Sequence, residues 1–440
     1  MSQEMLDVCT QALALAKKAG AGEAKARLTR RRTIEIEYRQ RKPEKIKEST
    51  TQDLSVEVYA DGRYSAQGTS DLRPKALADF VTNAVATTRL IAEDPYRSLP
   101  DPRRYEGRSD ADLRILDSSF GGVTPDERHR LVQAVEDAAL TAGGGKVISV
   151  TAGGNDLLYE MAAVTSNGFS GEVRATEFSL GGQMTLQDAG DRRPNGYHYV
   201  TTRFHSQLPD PRAVGEEVAR RTAGLLGAKK IATETLPIVV ENRVVPRLLY
   251  SLIDPLSGGN IQQKRSFLAD KKGQPIASAA LTLIDDASLP GGLRSAPFDG
   301  DGFPSRRRVV IDKGVLKEFF VDWYYGRKLG WEPTTGGPTN VIIPPGPRSV
   351  PQILKDLGRG IVITEFIGGN SNSTTGDASI GIGGYLFENG VRTQAVAEMN
   401  VADNHLKFWH KLVEVANDPW PYSAWQTPSL VFKDVVVSGG

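Results

Sequence analysis

The sequence predicts an α+β protein of two domains: an N-terminal α+β domain over residues 1–230 and a β-rich C-terminal domain with a few helices over residues 231–440. Three observations predict it. The chain has 440 residues, 39% hydrophobic and 24% charged, which suits two cores better than one. Up to residue 230, stretches of helical period alternate with stretches of strand period. From about Ile231 the texture changes to short strands separated by glycine pairs.

Each element has its own signal. Leu6, Ala12, Leu13, Ala16 and Ala19 form a helical stripe that Gly20 and Gly22 end. Ile34, Ile36 and Tyr38 alternate with charged residues, as in a strand. Leu54, Val56 and Val58 run into Asp61-Gly62, a favoured type I′ hairpin pair. Pro74 opens the next helix, and a proline-rich connector follows it. Thr124, Pro125 and Glu127 start a third helix in the manner of a capping box, and Gly143–Gly145 close it. Asn167-Gly168 marks another hairpin, and a helix follows Pro209 and Pro211. Beyond residue 230, "LPIVVE" reads as a buried strand, and Leu248–Leu256 as an apolar helix stopped by Gly258-Gly259. Gly291-Gly292, Gly336-Gly337, Gly368-Gly369 and Gly383-Gly384 read as turns, with hairpins at Lys313-Gly314 and Asn389-Gly390.

Composition narrows the function. Lys plus Arg number 54 against 53 for Asp plus Glu, so there is no basic excess and nucleic acid is not an expected partner. Cys9 is the one cysteine, which excludes an internal disulfide or a thiolate zinc cage. The first twenty residues read as an amphipathic helix rather than a signal peptide, and no apolar run is long enough to span a bilayer. The expectation is a soluble, cytoplasmic protein with no membrane partner.

Motifs for catalysis are hard to find. The histidines are His129, His198, His205, His405 and His410, and none belongs to an H-E-x-x-H or H-E-x-x-x-H pattern. His410 and Glu414 are four apart and could share a helical face as half a metal site, although a solvated face is the simpler reading. Asp285 and Asp286 adjoin on a strand, so they face opposite ways; one should start a turn while the other packs or caps. The "FDGDGF" loop lacks calcium-loop spacing, and "GFSGE" is not a nucleophile elbow. The arginines and lysines between Arg30 and Lys47 are interleaved with Glu35, Glu37, Glu44 and Glu48, which suits a salt-laced strand pair.

Several ordered blocks carry a family resemblance. They are "SGGNIQQKRSFLADKKGQPI", "LTLIDDASLPGGLRSAPFDGDGFPSRRRVVIDKGVLKEFFVDWYYGRKLG", "ITEFIGGNSNSTTGDASIGIGGYLFENGVRTQAVAEMNVADN" and "TPSLVFKDVVVSGG". With "LSVEVYADGRYSAQGTSDL" and "VTSNGF" earlier, they make the chain resemble the TldD/PmbA family over nearly its whole length. The resemblance implies a TldD/PmbA-like fold. TldD-like members hold zinc through H-E-x-x-x-H on the helix after the first C-terminal strand; PmbA (TldE)-like members lack it. This sequence has "YSLIDP", Tyr250 to Pro255, near that place, and so resembles the PmbA branch.

The resemblance implies a non-catalytic subunit of a TldD–TldE metalloprotease that degrades or matures small unfolded peptides. No catalytic residue, metal ligand or cofactor is expected in this chain; zinc is expected in a TldD-like partner, in a heterodimer or higher assembly. A homodimer of the isolated chain stays open. Substrate contacts are expected at Tyr250, Asp254, Ser257, Gly258 and Gly259, and on the loop carrying Gly368, Gly369, Asn370, Thr375 and Asp377. Tyr250 and Asp254, four apart, could hydrogen-bond. Two alternatives are a stand-alone metallopeptidase using His405, His410 and Glu414, and a regulatory binder of the gyrase-modulator type acting through Arg30–Lys47.

Overall fold

The structure, a computed structural model, describes residues 2–439. Six antiparallel strands form the first sheet: β1 (Glu23–Arg39), β2 (Lys42–Ala60), β3 (Arg63–Thr69), β4 (Val147–Thr165), β5 (Ser170–Leu186) and β6 (Asn195–Thr202), in the order β3-β2-β1-β4-β5-β6. Period two divides its side chains cleanly. Even-numbered Ala24, Ala26, Leu28, Ile36 and Tyr38 of β1 face four helices. These are α1 (Ser2–Lys18), α2 (Pro74–Thr88), α3 (Pro125–Gly143) and α4 (Pro211–Ala223). The odd-numbered face carries Lys25, Arg27, Glu57, Tyr59, Tyr197 and Tyr199, and turns toward the C-terminal half.

The β1–β2 hairpin lacked a sequence signal because its turn has no glycine. Gln40 and Arg41 both take positive φ, 53° and 58°, a conformation that is costly for side chains with a Cβ. The buried Glu136 carboxylate accepts the Arg41 backbone N–H at 3.0 Å, and Asp137 takes its guanidinium at 2.9 Å. These bonds hold the turn. Asp61-Gly62, Lys313-Gly314 and Asn389-Gly390 have positive φ at both positions, as type I′ turns require. At Asn167-Gly168 only the glycine does, and the Thr165 hydroxyl instead accepts the Phe169 N–H at 2.9 Å. The Arg30–Lys47 region is salt-laced, with Arg32 on Glu48 and Lys45 on Glu35.

The C-terminal half holds two sheets. One is formed by β8 (Leu283–Asp286), β9 (Arg307–Asp312), β10 (Val315–Leu316), β11 (Val341–Ile342) and β17 (Trp425–Gln426). The other contains β7 (Glu234–Val240), β12 (Arg359–Phe366), β13 (Asn370–Ser371), β14 (Asp377–Glu388), β15 (Val391–Asn404), β16 (Leu412–Val415) and β18 (Leu430–Ser438). In it β12, β7, β18, β15 and β14 close into a ring, because β12 also pairs with β14. Gly383-Gly384 lies within β14 and is not a turn. The glycine is needed there because a Cβ on Gly384 would meet the Val362 carbonyl oxygen. The helices here are short: α5 (Val245–Ile253), α6 (Gly258–Gln262), α7 (Trp323–Leu329), α8 (Val350–Leu357) and α9 (His405–Phe408). One large core around Leu249, Leu252, Phe320, Trp409 and Phe432 unites α5, α6, α7 and α9, while α8 packs Ile353 and Leu354 in a separate cluster with Val239, Phe387 and Val431.

Candidate functional site: the α5–α6 segment, a glycine-rich hairpin and an arginine cleft

α5 follows β7 and starts with Pro246 in its first turn. Leu248, Leu249, Leu252 and Ile253 are buried, while Tyr250 is 58% exposed. The helix does not end at the glycines. It tightens into a 3-10 turn over Asp254–Leu256, and Ser257 then caps a new helix, α6, by accepting the Asn260 N–H at 3.3 Å. Gly258 and Gly259 are the first residues of α6, where a Cβ on Gly258 would lie 2.9 Å from the Tyr325 Cβ. The glycines therefore serve close packing against α7. Asp254 accepts from the Asn260 side chain at 3.1 Å. Its link to Tyr250 is the backbone N–H to carbonyl bond, and the two side chains are not joined.

The second predicted segment is a small hairpin. Asn370–Ser371 pairs with Ala378–Ser379, and Asn372 accepts the Thr374 N–H at 2.8 Å at the tip. Asp377 accepts from the Thr375 hydroxyl at 2.8 Å and from the Asn404 amide at 2.9 Å. Gly368 and Gly369 both have positive φ, 68° and 111°, which lets the chain turn into the hairpin. Gly368, Gly369, Asn370, Thr375 and Asp377 are all exposed. Phe267, five residues past the end of α6, braces the hairpin. Its N–H bonds the Ser373 carbonyl at 2.9 Å, and its ring stacks on His405 at 5.9 Å. Leu248 of α5, Ala378 and His405 also line one small cavity of about 20 Å³.

His405 is buried, and its Nε2 lies 2.8 Å from the Ser371 hydroxyl. Desolvation pulls its pKa down to about 4, from 6.5. Between those values the unfolded chain binds more protons than the folded one. Stability tied to His405 is therefore fully present above about pH 6.5 and is lost as pH falls toward about 4. Replacing it with Gln, which can keep the Ser371 bond, should shrink the drop in urea midpoint between about pH 7 and about pH 4.5. An unchanged drop would show that this imidazole titrates normally.

Among the described residues, no three His, Cys, Asp or Glu side chains converge into a set that could hold a metal. His410 and Glu414 do not share a helix. Glu414 lies on β16 and is paired with Arg348, while His410 is in a 3-10 turn. Asp286 starts a turn by accepting the Ser288 N–H at 2.9 Å, and Asp285 pairs with Arg308 at 2.6 Å. The inner face of α5 is aliphatic. These residues do not fit a zinc ion.

Sequence reading missed a cleft of about 510 Å³ at the N-terminal end of α5. Its walls come from β6, the end of α4, the β7–α5 link, β12, β14, β15 and the Trp420–Ser423 turn. Such distant segments leave no local motif. Four arginines line it. Arg221 forms a two-pronged pair with Glu241 at 2.9 and 2.7 Å, and Arg220 does so with Glu217 at 2.6 and 2.7 Å. Arg392 lies over the Tyr385 ring and donates to the Gly224 carbonyl. Arg243 sits 5.0 Å from the Trp420 ring centre, and its buried Nη1 has no hydrogen-bond partner. Burial, and then Arg221 nearby, lower its pKa to about 10. Burial also raises the pKa of Glu365 in the same wall.

Comparison with known proteins places this architecture. Models described as PmbA/TldA metallopeptidase domain 1, central domain and C-terminal domain match residues 24–88, 118–226 and 233–439. Metalloprotease PmbA of Escherichia coli O157:H7 is 31% identical over 97% of this chain and 94% of its own length. The chain belongs to the PmbA/TldD family of metallopeptidases. Within it, the PmbA homologue of Haemophilus influenzae is 27% identical over 99% of this chain and 96% of its own. A Bacteroides thetaiotaomicron crystal structure, described as a candidate modulator of DNA gyrase, superposes with a TM-score of 0.96 at 35% identity, covering 99% and 98% of the two chains. TldE from Thermococcus kodakarensis shares the fold at 20% identity, with a TM-score of 0.87 over 98% and 100%. No helix among the described residues is long and apolar enough to cross a membrane.

Proposed function

We propose that this PmbA/TldD-family chain is a cytoplasmic, non-catalytic subunit of the TldE type. Its partner is a TldD-like subunit that carries zinc on H-E-x-x-x-H, and the pair degrades or matures small unfolded peptides. The observation that carries the reading is the composition of α5. The helix after the first C-terminal strand, where the resemblance places the zinc ligands of the catalytic branch, buries Leu248, Leu249, Leu252 and Ile253. The stand-alone alternative has less support, since Glu414 pairs with Arg348 on β16 while His410 lies in a 3-10 turn.

In this account the chain shapes one side of a shared chamber. Tyr250, Asp254, Ser257 and Gly259 are the exposed or half-exposed residues of the α5–α6 segment, Gly258 being buried against α7, and the largely exposed Gly368–Asp377 hairpin supplies the other contacts. The hairpin presents backbone donors and small hydroxyls to an extended peptide. The test is co-purification with an H-E-x-x-x-H relative, followed by zinc and cleavage measurements on the chain alone and on the pair.

A further inference from the structure

The arginine cleft has one feature that its own chain does not satisfy. Arg220 and Arg221 are each matched to a carboxylate, and Arg392 bonds a backbone carbonyl. Arg243 makes no hydrogen bond or ion pair among the described residues, and its Nη1 is buried. A buried guanidinium N–H without an acceptor costs free energy, and an anion placed on it would recover that cost. The cleft is open and large enough for several residues of peptide, at about 510 Å³. Tyr197, Tyr199, Tyr385, Trp420 and Tyr422 supply apolar faces for side chains.

We propose that this cleft binds the C-terminal carboxylate of an extended peptide, with Arg243 as the anchor. A single negative charge suits a single unmatched guanidinium. A doubly charged phosphate would also meet Glu241 and Glu365 in the same walls. β6 is the last strand of its sheet, so its outer edge carries backbone donors and acceptors that no other strand uses. Tyr197, Tyr199 and Thr201 of that strand point into the cleft. A peptide lying along β6 would pair its main chain there and place its terminus toward Arg243. This inference rests on the proposed function only in taking a peptide as the ligand.

The experiment uses the full isolated chain and Trp420-sensitive fluorescence, backed by calorimetry. The probes are the tetrapeptide Ala-Ala-Ala-Phe as free acid, the same peptide as its C-terminal amide, inorganic phosphate and acetate. The acid should bind at least about tenfold more tightly than the amide. Arg243→Ala should weaken binding of the acid by about thirtyfold or more, and Arg243→Lys by less, since Lys keeps the charge but loses the planar fork. Equal binding of acid and amide by the unaltered chain would overturn the proposal, and so would no binding of either. Phosphate displacing the peptide from Arg243 at lower concentration than acetate would also overturn it, in favour of a phosphate-bearing ligand. A chain that still supports zinc-dependent cleavage with its partner, yet ignores the peptide terminus, would refute this inference alone.

Discussion

Replacing Arg308 with Met should cost about 3–5 kcal/mol of folding stability, read as a fall in the urea midpoint at unchanged slope. The Arg308 and Asp285 side chains are 5% and 1% exposed and meet at 2.6 Å. The other Asp285 oxygen accepts from the Thr339 backbone N–H at 2.6 Å and its hydroxyl at 2.8 Å. Loss of the guanidinium strands a buried carboxylate that these two bonds only partly satisfy. The damage should reach the candidate site. Arg308 lies 5.6 Å from the Phe320 ring centre, and the Phe320 carbonyl accepts the Gly258 N–H at 2.7 Å. Pairing Arg308→Met with Asp285→Leu should recover much of the loss, because it removes the stranded Asp285 carboxylate and leaves only the part-exposed Glu318, 4.0 Å from Arg308, without its cation. A double variant as unstable as the single one would mean that shape, not charge, is what the pair supplies.

Trp409 gives the second large effect. It is fully buried and packs edge-on to Phe432 at 5.7 Å and to Phe408 at 6.2 Å. Trp409→Ala should cost about 3–5 kcal/mol through the cavity it leaves. Trp409→Phe should cost far less, about 1 kcal/mol, for a specific reason. The indole Nε1 is buried without a hydrogen-bond partner, so Phe removes an unmet donor along with the lost volume. If Phe proved as damaging as Ala, the indole N–H would have to be bonded after all.

The two cases also show what sequence can and cannot carry. Strand alternation in β1 and β2, the Asp61-Gly62 turn and the Thr124 cap are local devices, and the structure uses each of them. The Gln40–Arg41 turn was invisible because its support comes from Glu136, about a hundred residues away. The Gly258-Gly259 pair was misread for a similar reason. A glycine pair after an apolar helix usually marks its end. Here the decisive constraint is contact with Tyr325, which makes the pair the start of α6. Gly383-Gly384 likewise looked like a turn, but close approach to the Val362 carbonyl on β12 places it inside a strand.

The candidate site divides along the same line. The apolar face of α5 was legible from Leu248, Leu249, Leu252 and Ile253, because helical period is a local property. Arg243 was not singled out, since its standing depends on what fails to surround it. Its neighbours Trp420, Glu365 and Arg392 are contributed by separate strands and turns. Only the assembled fold distinguishes it from the matched Arg220 and Arg221.

The central claim is that this chain is the non-catalytic half of a zinc peptidase. The most direct measurement is elemental zinc analysis with a peptide-cleavage assay, on the purified chain alone and after co-expression with an H-E-x-x-x-H relative. The account predicts that the lone chain holds no stoichiometric zinc and leaves peptides intact, while the co-purified pair holds about one zinc and cuts them. Stoichiometric zinc and cleavage by the lone chain would contradict it.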